Sequence, residues 1–214
     1  MRSNTIEILI YTGLIYLVAK FLVIPSMVSI YPTIQRVIRR GYAIFFALFL
    51  TATTAEASYA KLAKDAGLSH NTMKEIIKKV VKYETTTGNY HTKNRKSGAY
   101  GRYQIMPKTA KAYSKKLKIS HSTWKRPHNQ DKIFKAILGD NIRSLKRNGI
   151  KISAFSIYGT HQQGAGGFNA IVKGKKLTKN LERNLRHNLP KKLRSIHKKN
   201  LKSTWMKYWK KKFA

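Results

Sequence analysis

A chain of 214 residues, 42% of them apolar, can bury one ordinary core, and with no cysteine it excludes disulfides and thiolate metal sites. Its 44 Lys and Arg against 8 Asp and Glu give a formal charge of +36, which points to a polyanionic partner: nucleic acid, anionic lipid or bacterial cell wall. The acidic shortage is also a constraint, because acid–base chemistry by a carboxylate must use Glu7, Glu56, Asp65, Glu75, Glu84, Asp131, Asp140 or Glu182.

The chain opens on a hydrophobic leader, residues 1–57. Ile6 to Ile24 is almost wholly apolar and, at about 19 residues, long enough to cross a bilayer. Pro25 and Pro32 break it. Arg36, Arg39 and Arg40 then precede a short apolar run, Tyr42 to Leu50, and a small-residue end, Ala55-Glu56-Ala57. That order is the order of a secretory signal peptide. Two expectations follow. Either translation begins at Met27 and residues 27–57 are a cleaved signal, or residues 6–24 anchor the protein in a membrane. In both, the body is exported to the periplasm or cell envelope. Two buried core helices are the plainer alternative, which the basic flanks and the AxA end oppose.

The body begins with two helical pieces. Tyr59 to Ala66 runs to a stop at Gly67, and Ser69 is placed to cap a helix over Thr72 to Tyr83. Ile76, Ile77, Val80 and Val81 share one face of that helix, and Lys74, Lys78, Lys79 and Lys82 the other. The pair, residues 61–81, also has the outline of a DNA-reading helix-turn-helix. Two helices around a Gly turn are common in any helical domain, and an exported chain rarely meets an operator, so DNA is the disfavoured partner.

Glu84 follows Val80 by four residues and Ile76 by eight, so it extends the apolar face at the helix end. Burial and the helix C-terminal carbonyls both raise a carboxyl pKa there. A raised pKa suits general-acid cleavage of a glycosidic bond near neutral pH. The competing role for Glu84 is an ion pair with one of the many lysines.

Gly98 and Gly101 let the next loop turn tightly and approach a sugar. Tyr100 and Tyr103 offer flat faces to pyranose rings, or to the core. Gln104 can orient the acid or an N-acetyl group. Pro107 suits a first helical turn. Glu84, then Gly88-Asn89-Tyr90, Gly98-Ala99-Tyr100-Gly101 and Gln104-Ile105-Met106-Pro107-Lys108-Thr109-Ala110 together resemble the signature of soluble lytic transglycosylase (SLT) domains, lysozyme-like enzymes that cleave peptidoglycan. Thr85 departs from the Ser that follows the family's Glu, and Ser97 sits directly before Gly98.

Further on, Trp124 and Pro127 mark a turn, and a helix over Asp131 to Asn148 puts Ile133, Phe134, Ile137, Leu138, Ile142 and Leu145 in the core. Where the family carries Tyr-Asn-x-Gly, its Tyr facing the catalytic Glu, this chain has His161-Gln162-Gln163-Gly164. Histidine adds a titrating group near Glu84, with Tyr158, about one turn earlier, as the other candidate partner. His-Gln-x-Gly is similar to phage-like and secretion-associated relatives, which implies secretion, conjugation or phage machinery as a partner. The run Gly164 to Gly167 lacks the Lys-Ser/Thr and the strand of a phosphate loop. Trp205, Trp209 and Phe213 recur every fourth residue among lysines in a basic C-terminal segment, 191–214. That stripe either binds an anionic membrane or wall polymer, or docks on the domain.

The expected fold is mainly α, of the α+β lysozyme-like kind: a compact helical domain over residues 58–190 with a small loop or hairpin region. The resemblance implies peptidoglycan glycan strands as substrate, Glu84 as the catalytic residue, and Ser97, Tyr100, Tyr103, Gln104, Met106, Tyr158, His161 and Gln162 against the sugar. No cofactor is implied, and the seven histidines lack paired metal-ligand spacing. Glycosidases ordinarily flank the bond with two carboxylates. None lies between Glu84 and Asp131, which favours one-carboxylate transglycosylation. The rivals are a hydrolytic lysozyme using Asp131 or Asp140, and a non-enzymatic DNA- or wall-binding module.

Overall fold

The computed structural model describes residues 41–42 and 59–213. The leader expectations on 6–24 and 27–57 lie outside the described residues, apart from Gly41 and Tyr42. The body is mainly helical, and no helix among the described residues is long and apolar enough to cross a membrane.

Helix α1 is described over residues 59–66 and stops at Gly67, whose φ of 69° only glycine adopts without strain. The Gly67 and Leu68 N–H groups close the end by donating to the Lys64 and Ala63 carbonyls, at 3.0 and 2.9 Å. Helix α2, His70–Thr85, starts where the Ser69 hydroxyl accepts from the Thr72 N–H at 3.0 Å. It buries Met73, Ile76, Val80 and Val81, the face expected from the spacing, with Ile77 at its margin. Helix α3, Pro107–Lys116, carries Pro107 in its first turn, where a missing N–H costs nothing.

Helix α4, Pro127–Arg147, begins four residues before the expected Asp131. The expected turn lies over residues 121–125, with Trp124 buried in it, and Pro127 is the first helical residue after it. The polar run His128 to Gln130 hides the start in the sequence. Asn129 and Gln130 point inward and are satisfied there by loop carbonyls. The six apolar residues assigned to the core are all buried.

Helix α5, Ala154–Val172, packs along α4 and holds a break at Gly164 (φ 71°, ψ 154°). Helix α6, Lys179–His187, and a 3-10 turn, Lys191–Leu193, lead to α7, Lys198–Phe213, which packs on α5 and α6. Glu182 clamps this crossing, accepting from Lys198 at 2.8 Å and Arg186 at 3.0 Å. Trp205, Trp209 and Phe213 are buried in the common core, at 0%, 7% and 5% exposure. The aromatic stripe therefore docks on the domain, and those three rings are not available to a membrane or wall polymer.

Strand pairing is limited, among the described residues, to two isolated bridges, Lys93 with Tyr100 and Tyr100 with Ile105. They fold residues 93–105 into the small hairpin-like loop, which sits beside the end of α2.

Candidate active site

Glu84 lies in the last turn of α2, continuing the face that buries Val80. Its side chain keeps 17% exposure, so the carboxyl is neither in bulk water nor sealed off. Burial pushes its pKa up to about 8. Its Oε1 lies 3.7 Å from His161 Nε2 on α5, and the lysine pairing that competed with catalysis is absent from its surroundings among the described residues. Helical periodicity and the motif that follows it both singled out this carboxyl in the sequence.

His161 is a titrating group beside Glu84, but it charges only well below neutral pH. Burial lowers its pKa to about 4, although the Tyr103 carbonyl acts the other way. Its Nε2 donates to that carbonyl at 3.2 Å, which fixes the neutral tautomer. The imidazole thus ties α5 to the loop and presents a neutral edge to Glu84.

Tyr158 is close enough for a charged Glu84 to raise its pKa, burial being the larger cause. Its hydroxyl accepts from Gln162 Nε2 at 3.0 Å, and Gln162 Oε1 accepts from Trp205 Nε1 at 3.2 Å. Tyr158 stacks on Phe213, ring centroids 4.3 Å apart, and leans on Trp209 at 4.9 Å. Tyr83, the residue before Glu84, packs on Tyr158, Trp209 and Phe213 at 5.9, 5.5 and 5.1 Å. Neither Tyr83 nor the pairing of the C-terminal rings with it was singled out in the sequence. Its only signal was adjacency to Glu84.

The loop is held by its own polar groups. Tyr100 and Ile105 exchange N–H···O bonds at 3.1 and 3.0 Å, and the Gly101 N–H donates to the Thr92 carbonyl at 2.7 Å. Gln104 takes a left-handed φ of 46° and donates from Nε2 to the carbonyls of Thr92 and Gly101, at 3.2 and 2.9 Å. That amide nitrogen braces the loop and does not orient Glu84. Gln130, fully buried, is the anchor the sequence did not reveal. Its Nε2 donates to Tyr90 and Lys125 carbonyls at 3.0 and 2.6 Å, and its Oε1 accepts from the Arg102 N–H at 3.1 Å. Gly101 is glycine for this reason, since a Cβ there would lie 1.7 Å from Gln130 Oε1, and φ is 82°.

The remaining candidates divide. Tyr103 is 3% exposed, stacked on Phe134 at 3.9 Å, and donates to Asp131 at 2.8 Å; it is a core residue. Ser97 accepts from the Ala99 N–H at 3.3 Å within its own turn. Tyr100 stays partly exposed, edge-on to Trp124, with its hydroxyl 3.3 Å from His91 Nδ1. Met106 is 44% exposed at the start of α3. Of the sugar-facing set, Ser97, Tyr100 and Met106 keep surface to offer, His161 and Tyr158 stand by the carboxyl, and Tyr103 and Gln162 hold the frame.

The rival carboxylates are engaged elsewhere. Asp131 accepts from Tyr90 and Tyr103 hydroxyls, at 2.9 and 2.8 Å. Burial alone would raise the Asp140 pKa, but hydrogen bonds from Lys116, Tyr113 and Arg143 bring it down to about 2. Two surface concavities of about 460 Å³ lie away from Glu84. One runs from residues 148–151 to Met206 and Lys210, the other along the Lys108, Lys111 and Lys115 side of α3. No group of three or more His, Asp or Glu among the described residues is disposed to hold a metal ion.

Residues 61–182 match the family model described as the transglycosylase SLT domain. No curated protein and no solved structure matches the chain. Helix α7 lies beyond the matched segment.

Proposed function

The chain belongs to the transglycosylase SLT domain family, and from that membership we propose that it is a peptidoglycan lytic transglycosylase with Glu84 as its single acid–base group. The observation that carries this assignment is a carboxyl pushed up to about 8 by burial, beside a neutral imidazole, while Asp131 and Asp140 are tied to other groups.

Near neutral pH Glu84 carries its proton, as a general acid must. It gives that proton to the glycosidic oxygen between N-acetylmuramic acid and N-acetylglucosamine. The C1–O bond breaks, and the substrate's own N-acetyl oxygen stabilises the positive carbon. Glu84, now a carboxylate, takes the proton of the muramoyl 6-hydroxyl, whose oxygen closes onto C1. The products are a 1,6-anhydromuramoyl end and a free 4-hydroxyl, and Glu84 is again protonated. No water is consumed and no second carboxylate is needed. A pKa close to the working pH lets one group serve in both directions.

Digestion of purified peptidoglycan, with the products weighed, tests this. Anhydromuropeptides, one water lighter than hydrolytic products, are expected. Hydrated products would replace this assignment with a hydrolytic lysozyme. Binding without turnover, weakening steeply with salt, would replace it with a wall- or nucleic-acid-binding module. A peptidoglycan substrate would suit work in the cell envelope, where local wall opening would serve a secretion, conjugation or phage-entry machine.

A further inference from the structure

We propose that α7, which lies outside the family-matched segment, is a positioning element of the active site: Trp209 and Phe213 hold Tyr83 and Tyr158 as a dry wall against the Glu84 carboxyl. The proposal rests on Glu84 being the acid.

Four ring contacts and a polar chain support it. Phe213 and Trp209 each touch both tyrosines, with Phe213 stacked on Tyr158 at 4.3 Å and 5.1 Å from Tyr83. One of those tyrosines adjoins Glu84 in sequence, and the other faces it across the α2–α5 contact. A polar chain follows the same route: Trp205 Nε1 donates to Gln162, and Gln162 donates to the Tyr158 hydroxyl. Helix α7 is itself fixed, by Trp209 Nε1 on the Asn188 carbonyl at 3.1 Å and by Lys198 on Glu182. Both ends of the wall are therefore anchored.

The surroundings leave the wall as the main control on the carboxyl. From α5, Tyr158 and His161 face Glu84, and both are neutral near pH 7. From α7, Tyr208 lies near Tyr158. On α2 itself, Lys82 is exposed. Arg102 of the loop lies over the Tyr90 and Tyr103 rings. With no cation at the carboxyl, its affinity for the proton depends on how well water is excluded. Removing a ring from the wall admits water and favours the anion.

The test is the pH profile of initial muropeptide release from purified peptidoglycan at limiting substrate, for the native chain, Phe213→Ala and Phe213→Leu. The high-pH limb should move to lower pH by about one unit in Phe213→Ala. In Phe213→Leu, which keeps most of the apolar contact, it should move less and in the same direction. If Phe213→Ala does not fold, Phe213→Leu decides alone. A lower rate with the limb unmoved would make α7 a structural support only and overturn the proposal. Glu84→Gln, assayed alongside, separates the two levels. If Glu84→Gln still cleaves, the catalytic assignment has failed. If it is silent while the Phe213 variants titrate like the native chain, only the role of α7 has failed.

Discussion

The Glu84 carboxyl and the His161 imidazole face each other at 3.7 Å, and burial moves their proton affinities in opposite directions, to about 8 and about 4. At neutral pH both are uncharged, so a contact with the spacing of an ion pair is not one. The proton sits on the carboxyl, where a glycosidic oxygen can take it.

Cleavage should therefore hold a plateau over the mildly acidic to neutral range. It should fall about tenfold per pH unit above about 8, as Glu84 loses its proton. Below about 4, protonated His161 places a cation beside the carboxyl and a second decline begins. The profile of kcat/KM against pH measures both limbs. An upper limb near the ordinary carboxylate value of 4.5 would mean that Glu84 is solvated in the working enzyme.

Stability should carry the same signature. The folded state holds the Glu84 proton up to about 8, while the unfolded chain releases it near 4.5, so stability falls as pH rises between those values. His161 works the other way, adding stability from about 4 up to 6.5, where the unfolded imidazole becomes neutral. Above 6.5 only the Glu84 contribution remains, a decline on the order of 1–2 kcal/mol by pH 8. Glu84→Gln should flatten it. Urea midpoints of both chains at pH 6.5 and 8 provide the comparison.

Two carboxylate variants separate chemistry from support. Glu84→Gln should bind wall as the native chain does and lose about three orders of magnitude in cleavage. Asp131→Asn should still make anhydro products. It should cost about 1–2 kcal/mol of stability, because the Tyr90 and Tyr103 hydroxyls then share a neutral acceptor. Product mass and thermal melting, taken together, read the two effects apart. Loss of anhydro product in Asp131→Asn at full stability would bring Asp131 into the reaction.

Gly101→Ala should be among the most disruptive single changes in the loop. The new methyl meets Gln130 Oε1 head on, at a backbone angle that alanine resists. Displacing Gln130 frees the Tyr90 and Lys125 carbonyls and the Arg102 N–H together. A loss of about 2–4 kcal/mol in denaturant unfolding is expected. The same substitution at Gly164, where a methyl meets nothing, should cost about 1–3 kcal/mol of backbone strain, since φ 71° and ψ 154° suit glycine alone.

Periodicity carried much of this architecture into the sequence. The apolar face of α2, the Ser69 cap and the six core residues of α4 all follow from local spacing, because each depends on neighbours within a turn or two. Glu84 was legible from the same spacing and from the motif that follows it. What spacing cannot show is the partner of a side chain. Trp205, Trp209 and Phe213 form one stripe whether they face a membrane or their own domain, and only the fold decides. Gln104 offers the same amide to a sugar or to the Thr92 carbonyl. Gln130 gave no signal, because two of its three partners, the Tyr90 carbonyl and the Arg102 N–H, come from distant loop backbone. His161 looked like a pH sensor because its burial was not visible.

Phe213 and Tyr83 touch from opposite ends of the described body. Contacts between such distant stretches close slowly and late, since the intervening chain must first be ordered. Until that closure, Glu84 is an ordinary carboxylate in water, deprotonated at neutral pH and without a proton to give. If Glu84 is the acid, a nascent or half-folded copy would have no proton to give to a glycosidic bond.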